Sequence, residues 1–531
     1  MTDNNSLNKK PCLVQTAQGF TVSYNDKFLY SKYNPSKAVL QIIENLAIVP
    51  QTLILCVSPI LPYGLKELSQ KLPDNCFMLG CELEPELAAF INEHSKTDDF
   101  DFSNIPNFSF LTRNELFELG PLLTKQNVVL QSGLSLPAPG TFRRIIKIDF
   151  SAASQYNTEL YDKIIASATN AIMTFWANRV TLVKFGRKYC TNFFKNLSVL
   201  GQTTPIQNYF GKYEKPVLVF GAGESAVDGI KHIQQTSRKD YYILCADTAL
   251  QPLIANGITP DGVFIEEAQN VITKCFIGTQ NSDFHIFAGL SSVHSITRLF
   301  KPEQISFFTT EFTQASFIDR FESAGILPPK NEPFGSVGIT AWYYANLFRQ
   351  DSSVPIYTYG LDFSYSAGRT HTKGAMADNA RFMTSSRLKT DGNYGAAFNE
   401  PAFKKNTKMY TTPIMERYAN LMTALRDCRG PFESLRDRDN DTVVVESVET
   451  TTDKISVIFK QETSSLQELK SLLIGEKQLQ PEELQKEITS LIQEREYLYL
   501  HFPDGHKFTY TQSFLNRVRV EIEYYMKILE E

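Results

Sequence analysis

The stretch KPVLVFGAGESAVDGI, residues 215–230, decides the fold. PVLVF is apolar and rich in valine, which suits a buried strand. Two glycines follow at once, and AVDGI then opens a helical period. A strand that ends in a glycine turn and feeds a helix is how a doubly wound α/β domain holds a phosphate. Gly221 and Gly223 permit the tight turn, and Ser225 adds a hydroxyl. The next strand, YYILCAD, ends in Asp247. That carboxylate completes a G-x-G-x-x-A dinucleotide fingerprint, in which the acid binds a ribose and the ligand is a nicotinamide or flavin. A sharp strand-to-helix turn without a ligand is the plain alternative.

Working outward, GVFIE (262–266), FHIFAG (284–289), ISFFTT (305–310) and PIYTYGLDF (355–363) read as further strands between helical stretches. Residues 214–405 therefore read as one doubly wound domain. Upstream, TLILCVSPIL (52–61), NCFMLGCE (75–82) and NVVLQSG (127–133) read as buried strands of a first Rossmann-like domain over 1–150. Residues 151–213 carry a helical period and form a connector, with Trp176 in its core. Residues 406–531 form a helical C-terminal module. It contains PIMERYANLMTALRDC (413–428), a polar loop over 436–454 and a helix opened by Pro481. Its last helix lines up Leu515, Val518, Ile522, Tyr525, Met526 and Leu529. The expected class is α/β, with two Rossmann-like doubly wound domains, a helical connector and that module.

Composition removes several function classes. A net charge of −5 over 531 residues argues against a dedicated nucleic-acid binder. No apolar run reaches the ~20 residues of a membrane span. The opening MTDNNSLNKKPC lacks the layout of a secretion signal. The eight cysteines contain no CxxC pair, so neither a zinc site nor a disulfide framework is indicated. The expected location is the cytoplasm.

Several residues carry candidate chemistry. Gly335, Ser336, Val337 and Gly338 form a second glycine turn before the helical ITAWYYANLF, where Thr340 adds another hydroxyl. His371 lies in GRTHTKG, beyond the strand end YTYGLDF, and can take a proton from an attacking hydroxyl. The alternative for it is a surface loop histidine. Asp362 can orient His371 or cap the next turn. Arg369 and Lys373 flank His371 and can neutralise a leaving phosphate, or simply face water. Glu266 and Glu267 can hold Mg²⁺ through oxygen, or face solvent. His285 and His294 lack ligand spacing and read as structural.

Beyond the glycine turn, three blocks carry a family resemblance. They are TALQPLIANGITPDGVFIEE (248–267), FGSVGITAWYYANLF (334–348) and PIYTYGLDFSYSAGRTHTKG (355–374). With GAGES they resemble the motility accessory factors, bacterial flagellin glycosyltransferases that share a domain with the 6-hydroxymethylpterin pyrophosphokinase. The later blocks are also similar to bacterial sialyltransferases. The likeness is strong over about 215–375, weaker in the first domain at SPILPYGLKEL and thin after 430. It implies a nucleotide-sugar donor, such as a CMP-activated nonulosonic acid, and a protein acceptor, flagellin. The glycine turns, Asp247, Arg369 and Lys373 would hold the donor, and His371 with Asp362 would act on the acceptor. The pyrophosphokinase relationship implies ATP and Mg²⁺ instead. A nucleotide-binding scaffold without turnover is the third class. Its support is Glu224, which stands where the family has Pro and brings a carboxylate toward the expected phosphate.

Overall fold

PVLVF forms a strand, and that strand is the pivot of the larger sheet. The computed structural model describes residues 10–530 except 95–99, 107, 126, 314, 391, 399–401, 428–447 and 478. The chain divides into two compact units, Met1–Thr181 and Leu182–Glu531.

The first unit opens with three antiparallel strands, β1 (Cys12–Thr16), β2 (Gly19–Tyr24) and β3 (Lys27–Phe28). A parallel sheet follows, made of β4 (Thr52–Val57), β5 (Phe77–Cys81), β6 (Phe108–Phe110) and β7 (Arg144–Asp149). Its order is β6-β5-β4-β7, so the chain reverses direction beside β4. Side chains fill that reversal point. Leu83 N–H donates to Tyr161 Oη at 2.9 Å, and Ser58 Oγ lies 3.4 Å from the same oxygen.

NVVLQSG is not a strand. Leu130 and Leu134 close a local turn there, with Gly133 at φ +84°. The strand that completes the sheet is RIIKID, β7, whose charged residues interrupt its apolar run.

The second unit carries a seven-stranded parallel sheet. Its strands are β8 (Val217–Phe220), β9 (Tyr242–Ala246), β10 (Gly262–Ile265), β11 (His285–Gly289), β12 (Ile305–Thr310), β13 (Lys330–Asn331) and β14 (Ile356–Tyr359). The order is β13-β12-β11-β10-β9-β8-β14. The chain steps outward from β8 to β13, then returns to the far side of β8. Right-handed crossovers put the helices of an outward run on one face and the returning helix on the other. Leu218, Phe220, Ile243 and Cys245 accordingly share one core with the outward helices. Val217, Val219, Leu244 and Phe264 share another with the returning helix Val337–Phe348.

The connector and C-terminal module expected as separate pieces are built into these cores. The long helix Thr158–Leu200 buries Tyr161, Ile164, Ala168 and Ile172 in the first unit. Trp176 belongs to that core and donates to the Phe142 carbonyl at 2.8 Å. The same helix buries Cys190, Phe193, Phe194 and Leu197 in the second unit. The helices Val448–Leu473, Pro481–Gln493 and Gln512–Glu530 join the outward-helix core through Leu466, Leu469, Ile492, Ile522 and Tyr525. Each such side chain contributes about 1.5–3 kcal/mol by leaving water. Of the expected loop 436–454, residues 436–447 lie outside the described residues, and helix begins at Val448. The helix Pro413–Asp427 packs instead on the returning-helix face through Met422.

Candidate functional site

In an open α/β sheet, a crevice forms where the strand order reverses, beyond the carboxyl ends of the strands. In the second unit that place lies between β8 and β14. A cavity of about 320 Å³ occupies it. Gly221, Ala222 and Gly223 line it from the end of β8, and Gly360, Leu361 and Phe363 from the end of β14. Asp247 enters from β9, and Glu267 from beyond β10. Gly335, Ser336, Val337 and Gly338 supply the second turn, and Thr370 and His371 the loop beyond β14.

The first glycine turn has a packing role of its own. Gly221 N–H donates to the Tyr359 carbonyl at 2.8 Å, and Gly223 N–H to the Gly360 carbonyl at 2.9 Å. The two strand ends are so close that a Cβ on Gly221 would strike the Gly360 carbonyl and, at 2.6 Å, Leu361 Cδ2. Gly360 itself sits at φ +70°, which favours glycine. The first amides of the helix Ala226–Gln235 are also engaged: Ala226, Val227 and Asp228 donate to Gly223, Glu224 and Ser225. Gly221→Ala should therefore cost about 2–3 kcal/mol, because backbone rather than a side chain must move. A urea unfolding midpoint unchanged by the substitution would contradict that close approach.

The second turn is the one with donors to offer. Ser336 is the N-cap of the helix Val337–Phe348 and makes no side-chain cap bond. The amides of Val337 and Gly338 have no intrahelical acceptor by helix geometry, and both residues line the cavity. With the positive end of the helix they have the geometry to receive an anion.

Asp247 is 2% exposed. One carboxyl oxygen accepts from Thr248 N–H at 2.6 Å, and the other, Oδ2, is buried without a hydrogen-bond partner. Burial, reinforced by the Glu267 and Glu266 carboxylates, pushes its pKa up to about 7. Near neutral pH it exchanges between carboxylate and acid. It can thus accept from, or donate to, a ligand hydroxyl.

His371 is half-buried, and its Nδ1 lies 3.0 Å from Thr370 Oγ1. Burial lowers its pKa below the usual value. Arg381 lowers it further, against a smaller opposing pull from Asp378. The imidazole is therefore neutral at pH 7, with a lone pair to offer. A second, small pocket lies against it, lined by Arg369, Asp378, Arg381 and Asn393.

Other expected site residues do not line the cavity, and most are engaged elsewhere. Asp362 accepts from Ser225 N–H at 2.9 Å and from the Ser225 hydroxyl, while Ser225 Oγ accepts from Gly360 N–H at 2.7 Å. Asp362 and Ser225 thus clamp β14 to β8, and the bonds of Asp362 run to Ser225 rather than to His371. Glu266 accepts from Thr310 and Thr340, each at 2.6 Å, one on each carboxyl oxygen. Glu266 and Thr340 therefore tie β10 and β12 to the returning helix. Among the described residues no group of three or more His, Cys, Asp or Glu is placed to hold a metal. Arg369 pairs loosely with Asp378 at 3.8 Å, and Lys373 is exposed. Glu224 accepts from Ser366 and stays outside the cavity lining, so it does not face an anion bound there.

Three lining residues had no signal in the sequence. Met415 and Tyr418 come from the helix Pro413–Asp427, which the expected boundary at 406 separates from the site. Phe363 adopts φ +46°, a strained conformation for an aromatic residue that persists only where its surroundings impose it. Its ring packs edge-on to Tyr418, giving the cavity an aromatic wall.

Residues 191–368 match the family model described as 6-hydroxymethylpterin diphosphokinase MptE-like. The matched region spans β8 to the end of β14, and with it both glycine turns and Asp247; His371 lies just beyond. An uncharacterized protein of Treponema pallidum (strain Nichols) is 29% identical over 561 residues, covering 98% of this chain and 95% of that one. The MAf glycosyltransferase of Magnetospirillum magneticum AMB-1 has a similar fold, with a TM-score of 0.51 at 12% identity. The match covers 98% of this chain and 91% of that structure. The Rossmann-like α/β class expected from the motifs is therefore the fold of this chain. Among the described residues no helix is long and apolar enough to cross a membrane.

Proposed function

We propose that the MptE-like domain transfers a sugar from a nucleotide-activated donor to a hydroxyl of a protein acceptor such as flagellin. The observation that carries this is convergence: an anion-binding helix start, an unpartnered buried carboxyl and a neutral histidine line one cavity. The donor's phosphate lies at the Val337 and Gly338 amides. Asp247 meets a hydroxyl of the donor's sugar or ribose, and the Phe363–Tyr418 wall receives its flat base. The acceptor oxygen attacks the anomeric carbon as the carbon–phosphate oxygen bond breaks. His371 takes the acceptor's proton, and the nucleotide leaves with the bonding pair. Positioning and charge stabilisation supply the rate.

The MptE-like match also fits a second reading, diphosphate transfer from ATP to a pterin alcohol. Mg²⁺ would then be held by Asp247 and Glu267 with the nucleotide phosphates, in keeping with its preference for one or two carboxylates. The two readings separate in a thermal-shift panel of CMP-, UDP- and GDP-sugars and ATP, each with and without EDTA. One nucleotide-sugar class should raise the melting temperature, and EDTA should leave that shift in place. A shift seen only with ATP and abolished by EDTA would favour the second reading. No shift with any nucleotide would leave a scaffold that does not bind nucleotides.

A further inference from the structure

Beyond His371 the chain makes an excursion that the sheet does not require. The helix Met376–Thr384 has no fully buried residue. Phe382, Met383, Leu388 and Phe398 are 71%, 84%, 97% and 70% exposed. They are four of the five most exposed large hydrophobic side chains among the described residues. Single exposed hydrophobics are ordinary, but a cluster marks an interaction site. The same region is basic. Residues 369–408 hold eight Lys or Arg against three Asp or Glu, a net +5 in a chain whose total is −5.

The excursion is fastened to the candidate site. Asn393 N–H donates to the Gly368 carbonyl at 2.5 Å, and Tyr365 Oη donates to the Ala396 carbonyl at 2.6 Å. Lys405 Nζ donates to the Asp362 carbonyl at 3.0 Å, at the end of β14. Arg381 and Asn393 line the small pocket against His371.

We propose that the exposed side chains of Phe382, Met383, Leu388 and Phe398, with the basic residues among them, form the docking platform for the acceptor polypeptide. It takes an acidic stretch with an apolar face and brings that chain's Ser or Thr hydroxyl to His371. The apolar tips suit a polypeptide better than a nucleotide, and the surplus of cations selects acidic partners and speeds encounter. Basic and aromatic side chains also suit an anionic membrane surface. Continuity with the histidine pocket favours the acceptor. This inference rests on the transfer reading for the acceptor's identity, but its test does not require turnover.

The test uses the full chain and a variant carrying Phe382→Ser, Met383→Ser and Leu388→Ser. The substituted side chains are exposed, so circular dichroism and melting should match the wild type. Purified flagellin monomer is the probe. The variant should bind it about tenfold or more weakly, added salt should weaken wild-type binding, and nucleotide-induced shifts should be equal in the two proteins. The platform is overturned if the wild type does not bind flagellin, or if the variant binds it equally well. It is also overturned if these side chains instead mediate binding to phosphatidylglycerol vesicles or self-association. Loss of all nucleotide-induced shifts in the wild type would strike the transfer reading alone, while flagellin capture would still decide the platform.

Discussion

His371→Ala should lower the transfer rate by about 10²–10⁴-fold, the range for removing a positioned general base. The loss should fall on kcat, with KM for the donor nearly unchanged. In the proposed reading the donor's phosphate meets amides of a different element, the helix Val337–Phe348, so removing the imidazole does not unbuild that site. The pH profile carries the same assignment. Burial, with Arg381, lowers the His371 pKa below its ordinary ~6.5. A base works in its neutral form, which predominates above its folded pKa. The His371 contribution should therefore appear as an acid limb whose midpoint lies below 6.5, separate from the titration of Asp247 at about 7. Arg381→Ala removes a like charge and should move that midpoint upward. A donor KM that rises steeply in His371→Ala, with kcat intact, would make His371 a binding residue instead.

The second large effect is on stability. Glu462, 4% exposed, sits where the C-terminal helices meet the outward-helix face of the sheet. Its Oε2 lies 3.1 Å from Arg495 Nε and accepts from Tyr497 Oη at 2.9 Å. Its Oε1 accepts from Arg320 Nη2 at 2.5 Å. Arg495 and Tyr497 are buried as well, and Arg320 belongs to the helix Ser316–Ser323 that follows β12. Glu462→Ala would leave the Arg495 guanidinium buried beside a hole. Removing one partner of such a buried pair costs about 3–5 kcal/mol. Glu462→Gln keeps an acceptor for Tyr497 and should cost less. Urea unfolding reads both. A cost of less than about 1 kcal/mol for Glu462→Ala, the range of exposed pairs, would mean that water reaches the cluster.

The sheet of the second unit was legible because each of its six longer strands is a short apolar run bounded by turn residues. PVLVF and GVFIE are buried on both sides, so they show no alternation to misread. RIIKID escaped notice because its ends are charged and solvated. NVVLQSG misled because three apolar residues precede a turn that folds back on itself. The site divides in the same way. Gly221, Gly223, Asp247, Gly335, Ser336 and Gly338 lie at strand ends or helix starts, and His371 in the loop beyond β14; local pattern marks them, and all of them line the cavity. What local pattern does not carry is which distant groups meet. Asp362 turns to Ser225, and Glu266 is claimed by Thr310 and Thr340. Gly221 and Gly223 answer first to the approach of β14. Tyr418 reaches the cavity from beyond the expected domain boundary, through a packing contact that no spacing announces.

The central claim is that this cavity moves a sugar onto a protein hydroxyl. Its most direct test is the intact mass of flagellin after incubation with the nucleotide-sugar that gives the thermal shift and with the full-length chain. The acceptor should gain the mass of whole sugar residues with the wild type and remain unmodified with His371→Ala over the same time. An unmodified acceptor beside a pterin alcohol that gains diphosphate from ATP, or equal glycosylation by His371→Ala, would contradict it.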